Sequence, residues 1–245
     1  MISIILAAGQ GSRMRPLSYF IPKILLPVRG QPVLDYLLEN MKNIDVEHHY
    51  IVASEHAEAI ETYLEKTGKN NISIVRGLGW ETGGDLAIAF EQVGDAADAI
   101  VMNGDIITDV DMSQLYSFHR EHDSLVSMSL LELNDPEEAK RFGSITLSDD
   151  FSISEFSEKK DVGNSTSNIV NVGFYIFDKK FISNRHKYMT PKKFKIENDL
   201  FPKLAHEHKL YGMIMNINYW WDVGTMASYL KAEHFFINGK SIIPP

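Results

Sequence analysis

The first hundred residues alternate short apolar, β-rich runs with stretches of helical spacing, and this alternation limits the fold more than any other feature. Ile2-Ser3-Ile4-Ile5-Leu6 is apolar and rich in β-branched residues, as a strand covered on both faces must be. A glycine-bearing loop follows from Gly9 to Pro16. Residues 32–41 then place Val33, Leu34, Leu37, Leu38 and Met41 on one helical face. Short strands are predicted at 50–52, 72–75 and 99–102, and helices at 57–64 and 86–93. Strands alternating with helices imply an α/β fold of three layers, with a doubly wound, mostly parallel, Rossmann-like sheet. Ligands of such sheets sit at the carboxyl ends of the strands. The glycine-bearing segments 9–16, 77–84 and 103–105 all fall at that edge.

The second half is less regular. Helical spacing is read at 112–119, 197–206 and 226–236, and strands at 124–131, 144–147, 153–156, 170–177, 210–215 and 219–223. Mixed strands added to a parallel core imply a lobe over the strand ends. We expect one domain over 1–245, with a core of about 1–111 and a second portion of about 112–245. The closing helix carries Tyr229, Phe235 and Phe236, which pack on the core by default. Oligomeric state is not set by the sequence.

The chain has 245 residues, a net charge of −9 and no cysteine. Without a basic stripe, a nucleic-acid partner is disfavoured. Disulfides, thiolate metal sites and a cysteine nucleophile are excluded, which fits a cytoplasmic location. The apolar N-terminus is short and lacks a positive flank, so it reads as a strand and not a signal peptide. No apolar run is long enough to span a bilayer, so no membrane partner is expected.

Five segments carry residues suited to chemistry. In Leu6-Ala7-Ala8-Gly9-Gln10-Gly11-Ser12-Arg13, a strand runs into a glycine turn whose unpaired N–H groups form an anion nest. Arg13 adds a planar fork for phosphate oxygens and Lys23 a point charge. The spacing matches neither a P-loop nor a dinucleotide fingerprint. Asn103-Gly104-Asp105 ends a strand on a carboxylate able to bind Mg2+, although alone it reads as an Asx turn. Trp220-Trp221-Asp222-Val223-Gly224-Thr225 offers a second aspartate, or else a helix cap. Glu158-Lys159 supplies a cation for a second phosphate, or is a solvated charged turn. In Trp80-Glu81-Thr82-Gly83-Gly84-Asp85-Leu86 a glycine turn opens a helix, with Thr82 as an ordinary cap or its N–H groups aimed at a base. Asp109-Val110-Asp111 is a D-x-D pair of the kind that holds a metal in glycosyltransferases, but capping by Asp111 is the simpler reading.

In this order the five segments resemble the sugar-1-phosphate nucleotidyltransferase family over nearly the whole chain. Residues 6–16 with Pro22-Lys23 and Pro27-Val28 resemble its pyrophosphorylase motif. Phe142-Gly143, Glu158-Lys159 and residues 171–175 are similar to its sugar-phosphate contacts. The resemblance implies a GT-A-like fold with a mixed sugar-binding lobe. It implies a reaction in which a nucleotidyl group passes from a nucleoside triphosphate to a sugar 1-phosphate, with Mg2+ as cofactor. It also implies roles. Leu6, Ala7, Ala8 and Gly9, with Glu81, Gly83 and Gly104, border the nucleotide. Gly11, Ser12 and Arg13 hold the β- and γ-phosphates, and Lys23 bridges the α-phosphate and the acceptor. Asp105 and Asp222 bind the metal, and Gly143, Glu158, Lys159 and Asn171 surround the sugar phosphate. The acceptor phosphate is already an anion, so neither a general base nor a covalent nucleophile is required.

The sequence departs from the pattern at Ser18, where threonine is usual, and at Lys160, where proline follows Glu-Lys. It resembles the short, single-domain members, without a left-handed β-helix. Uridylyl-, thymidylyl- and guanylyltransferases all share its base-side segments, so base and sugar stay open. Two other readings stand beside this one: a glycosyltransferase working through Asp109 and Asp111, and a non-catalytic nucleotide-binding regulatory module.

Overall fold

A computed structural model of the protein describes residues 1–94, 97–134, 139, 142–157 and 167–238. Its centre is a seven-stranded sheet. The strands of the first half are β1 (Ile2–Leu6), β4 (His48–Ala53), β5 (Ile72–Arg76) and β6 (Ala99–Asn103). Those of the second half are β8 (Val126–Glu132), β11 (Ile169–Phe177) and β12 (Leu210–Ile214). The spatial order is β12-β8-β11-β6-β1-β4-β5. All neighbours are parallel except β11, which runs antiparallel to both β6 and β8. The mostly parallel α/β sheet expected from the alternating pattern is therefore present.

Alternation along each strand feeds two cores. Ile5, Ile51, Ile100 and Met102 point to a layer containing α1 (Val33–Glu39), α2 (Ala57–Thr67) and α4 (Met112–Glu121). Ile4, Val52, Ala99 and Val101 point to the opposite layer. That layer holds α3 (Glu81–Val93), α5 (Lys179–Ser183) and α6 (Phe201–His206). Phe90 of α3, Phe177 of β11 and Phe181 of α5 form an aromatic group there, with ring centroids 5.1 to 6.4 Å apart. Offset and edge contacts at such spacing add to the gain from burial.

Small accessory sheets complete the fold, the first of them β2 (Pro27–Val28) paired antiparallel with β3 (Gln31–Pro32). β9 (Ser144–Leu147) pairs antiparallel with β10 (Ile153–Ser157). A three-residue strand that the apolar pattern does not reveal, β7 (Ile106–Thr108), pairs antiparallel with β13 (Trp220–Asp222). The closing helix α7 (Met226–Asn238) packs on this ribbon through Phe235, 5.3 Å from the Trp221 ring. Its Tyr229 hydroxyl donates to the Pro27 carbonyl at 2.6 Å. These two aromatics thus pack inward, as the default expectation held.

One difference from the sequence reading matters for the site. Helix α3 begins at Glu81, so Gly83 and Gly84 lie inside its first turns, and Thr82 does not cap it. Glycine is a poor helix former, but here close packing decides. A strap over residues 192–197 crosses the start of the helix. A Cβ at Gly83 would lie 2.3 Å from the Phe194 ring, and one at Gly84 2.3 Å from the Lys192 carbonyl oxygen. The Phe194 carbonyl accepts from the N–H groups of both Gly83 and Gly84, at 3.0 and 3.3 Å. Thr82 Oγ1 donates to Glu197 Oε2 at 2.7 Å and accepts from the Ile196 N–H. Only residues without side chains allow the strap this close.

Two substitutions test these contacts. Phe177→Ala empties a fully buried site and is expected to cost about 3–5 kcal/mol in chemical denaturation. Gly84→Ala is expected to cost about 1–3 kcal/mol and to open the strap to trypsin at Lys192, Lys193 and Lys195. Gly9→Ala, with nothing within 4 Å of its Cβ position, should do neither.

Candidate active site

The carboxyl ends of β1 and β6 are drawn together by one backbone bond, from Gly104 N–H to the Leu6 carbonyl at 2.9 Å. A Cβ at position 104 would sit 2.7 Å from that same oxygen, so the approach depends on glycine. Beyond the two strand ends lies a cleft of about 350 Å3. Its walls include Leu6, Ala7, Ala8, Gly9 and Gln10 after β1, and Asn103, Gly104 and Asp105 after β6. Glu81, Thr82 and Asp85 face it from α3, and Lys23 from the loop after β1. These segments are remote in sequence, and the sheet gathers them at one edge, where open α/β sheets bind ligands.

The loop after β1 is compacted by short helical turns over Ser12–Met14, Leu17–Tyr19 and Lys23–Leu25. Gly11 has φ +61°, a left-handed conformation natural to glycine. Its carbonyl accepts from Ser18 Oγ at 2.8 Å. A Cβ there would lie 3.0 Å from Ser18 Cβ and 3.3 Å from Lys23 Cε. The turn is thereby folded over the stem of Lys23, whose ammonium points back into the cleft.

That ammonium donates to Asp105 Oδ2 at 2.9 Å, and both side chains are partly buried. The ribbon brings the second aspartate alongside. Asp222 lies opposite Ile106 in the β7–β13 pairing, and Val223 N–H donates to the Asp105 carbonyl at 2.9 Å. Burial pushes the Asp222 carboxyl above the usual carboxylate range, and the charge of Asp105 pushes it further. The Gly224 N–H, which donates to Asp222 Oδ1 at 2.6 Å, Lys23 and Arg13 act in the opposite direction without cancelling the rise. Arg13 reaches this corner too. A Cβ at Gly224 would lie 2.5 Å from Asp222 Oδ1 and 3.2 Å from Arg13 Nη2. Two carboxylates flanked by two cations can neutralise a phosphate chain on one side and hold a metal ion on the other.

The structure thus brings together Leu6, Ala7, Ala8, Gly9, Glu81, Gly104, Lys23 and Asp105 on one wall system, with Asp222 and Arg13 beside it. Gly11 and Ser12 stand behind Lys23, off the cleft wall. Gly83 is different from the sequence expectation. It is buried under Phe194, its N–H is committed to the strap, and it does not line the cleft. Gly143 (φ +98°), just before β9, and Asn171, on strand β11 of the central sheet, do not line this cavity either. Asn171 Nδ2 donates to the Tyr175 hydroxyl at 2.7 Å, and its Oδ1 accepts from Gly173 N–H at 2.9 Å. Glu158 and Lys159 lie outside the described residues.

Two charged wall residues are given no role by the sequence reading. Lys193 enters the cleft from the strap, and only the tertiary contact with the glycine pair puts it there. Asp85 lines the cleft from α3; it lies in the fifth segment, where nothing local marks it. The D-x-D pair is structural. Asp111 caps α4 by accepting from the Ser113 N–H, and its other oxygen accepts from Asn43 Nδ2 at 3.1 Å. Asp109 accepts from the Asn218 N–H and Nδ2, at 2.9 and 2.6 Å. The carboxylates assigned to a glycosyltransferase metal are therefore occupied in holding loops. Among the described residues no group of three or more histidine or acidic side chains is placed to hold a metal ion. None of their helices is long and apolar enough to cross a membrane.

Known proteins share this arrangement of sheet and loops. The chain is 30% identical to the bifunctional protein GlmU of Methanocaldococcus jannaschii, over 97% of this chain and 55% of that protein. It is 27% identical to mannose-1-phosphate guanylyltransferase of Mycobacterium tuberculosis, over 99% of this chain and 66% of that protein. It spans between about half and two thirds of the length of such relatives. Among solved structures, HddC of Yersinia pseudotuberculosis superposes with a TM-score of 0.75 at 29% identity, covering 96% of this chain and all of the other. A putative glucose-1-phosphate thymidylyltransferase of Bacillus anthracis shares the fold, with a TM-score of 0.80 at 23% identity over 96% and 94% of the two chains. A model of the nucleotidyl transferase family matches residues 2–239, and the chain belongs to that family.

Proposed function

We propose that this chain transfers a nucleotidyl group from a nucleoside triphosphate to a sugar 1-phosphate, giving a nucleoside-diphosphate sugar and pyrophosphate. The observation that carries the reading is the cluster of Lys23, Asp105, Asp222 and Arg13 at one end of the cleft. Phosphoryl transfer needs positioning and charge neutralisation more than it needs covalent chemistry. The acceptor phosphate oxygen forms the new bond to the α-phosphorus, and the bond to pyrophosphate breaks. The nucleophile enters as an anion, so no proton has to be removed from it.

In this reading the backbone of Leu6, Ala7, Ala8 and Gly9 borders the nucleoside, with Glu81 and Gly104. Arg13 and the turn at Gly11 and Ser12 take the departing phosphates, and Lys23 spans the α-phosphate and the acceptor. Asp105 and Asp222 fit a divalent cation such as Mg2+, because the mutual repulsion that raises Asp222 is what a cation between them relieves. Such an ion supplies charge neutralisation on the phosphate oxygens. Asn171 and Gly143 serve the sugar side, with Glu158 and Lys159. Gly83 serves the strap and not the base.

Relatives act on different bases. The mycobacterial relative is a guanylyltransferase and a Synechocystis relative a uridylyltransferase. HddC of Yersinia pseudotuberculosis was solved with GMP-PN. A guanosine, uridine or thymidine triphosphate with a hexose 1-phosphate is the substrate class we propose. The test is pyrophosphate release from a panel of nucleoside triphosphates crossed with sugar 1-phosphates. One pair should dominate, and no release from any pair would defeat the reading. Lys23→Ala and Asp222→Ala should each lower turnover by about two to three orders of magnitude, with unchanged circular dichroism. Near-wild-type turnover in either variant would sink the assigned roles.

A further inference from the structure

The loop of residues 77–80, between β5 and α3, contributes Gly79 to the base-side wall of the cleft. Its shape is set by Asp85. That side chain is buried, with 3% of its surface exposed, although it sits among positions occupied by core residues such as Leu86, Ala87 and Ala89. A buried carboxylate is costly unless hydrogen bonds compensate it. Here the compensation is backbone. Leu78 N–H donates to Asp85 Oδ1 at 2.9 Å, and the backbone amides of Gly79 and Trp80 also favour its charged form. Burial pushes this carboxyl up, and the three amides pull it back.

Three successive amides converging on one anion form a nest, filled in this chain by its own side chain. Gly79 has φ +68°, a left-handed conformation natural to glycine. The loop is also pressed onto the sheet. A Cβ at Gly77 would lie 3.0 Å from Val52 Cγ1, 3.1 Å from Ala8 Cβ and 3.1 Å from Asp85 Oδ1. Immediately after the nest comes Glu81, a cleft residue with φ +64°. A non-glycine residue holds that conformation only where its surroundings fix it.

We propose that Asp85 is a positioning residue for the nucleoside end of the substrate: it locks the amides of Leu78, Gly79 and Trp80, and so fixes the wall formed by Gly79 and Glu81. The proposal rests on the reading of the cleft as a nucleoside triphosphate site. Asp85 acts through the loop, at the base end, and not through the phosphate cluster around Lys23. Its loss therefore weakens recognition of the nucleoside and leaves recognition of the phosphates intact.

The experiment is equilibrium binding, without turnover, of the preferred nucleoside triphosphate and of inorganic tripolyphosphate, which has no base. Asp85→Ala should weaken nucleotide binding about tenfold or more and change tripolyphosphate binding less than twofold. Asp85→Asn, which keeps one acceptor oxygen, should fall in between. In kinetics the variants should raise KM for the nucleotide, with kcat and KM for the sugar phosphate nearly unchanged. Equal weakening of both probes, or unchanged nucleotide affinity in a folded variant, would overturn the proposal. If Asp85→Ala does not fold, Asp85→Asn carries the same comparison. A wild-type chain that binds no nucleoside triphosphate overturns both this inference and the proposed reaction. Wild-type binding with indifferent Asp85 variants overturns this inference alone.

Discussion

Two carboxylates held side by side and partly out of water repel each other, and a fold that imposes this must provide cations. Asp105 and Asp222 are in that position. Lys23 meets the demand directly through its bond to Asp105, and Arg13 approaches from the far side of Gly224. Burial first and the charge of Asp105 second push Asp222 upward, and Lys23 and Arg13 do not cancel that push. The rest of the site follows from this imbalance. It places a cation-seeking pair beside two side chains that seek anions, at the open edge of a sheet, which is the arrangement that the proposed reaction calls for.

The scaffolding is economical in contacts. One glycine, Gly104, lets β6 end against β1. A ribbon only three residues long on each side, β7 with β13, carries Asp222 to Asp105. The glycine pair at 83 and 84 gives up side chains so that a strap can deliver Lys193 to the opposite wall. At the glycine pair an absent side chain makes room for a charged one.

Much of this was legible in the sequence, for identifiable reasons. β1, β4, β5 and β6 are covered on both faces, so their apolar runs stand out, and the loops after β1 and β6 follow from them. Arg13, Lys23, Asp105 and Asp222 were found because their neighbours are glycines and prolines at fixed offsets. The start of α3 was misplaced because intrinsic propensity argues against glycine in a helix, while packing against Phe194 and Lys192 overrides it. β7 was missed because three residues are too few to show a period. Lys193 and Asp85 carry no local signal at all: one is brought in by a long-range contact, and the other shows its task only in its contact with the folded loop of Leu78.

The ribbon has a further consequence for how the protein comes to exist. Asp105 leaves the ribosome together with the glycine loop and Lys23, but Asp222 emerges only after β8 to β12 have been made. The acidic pair is complete only when β13 has docked on β7. A growing chain can therefore present the cleft and Lys23 with one carboxylate in place, and β13 is the strand that completes the acidic pair.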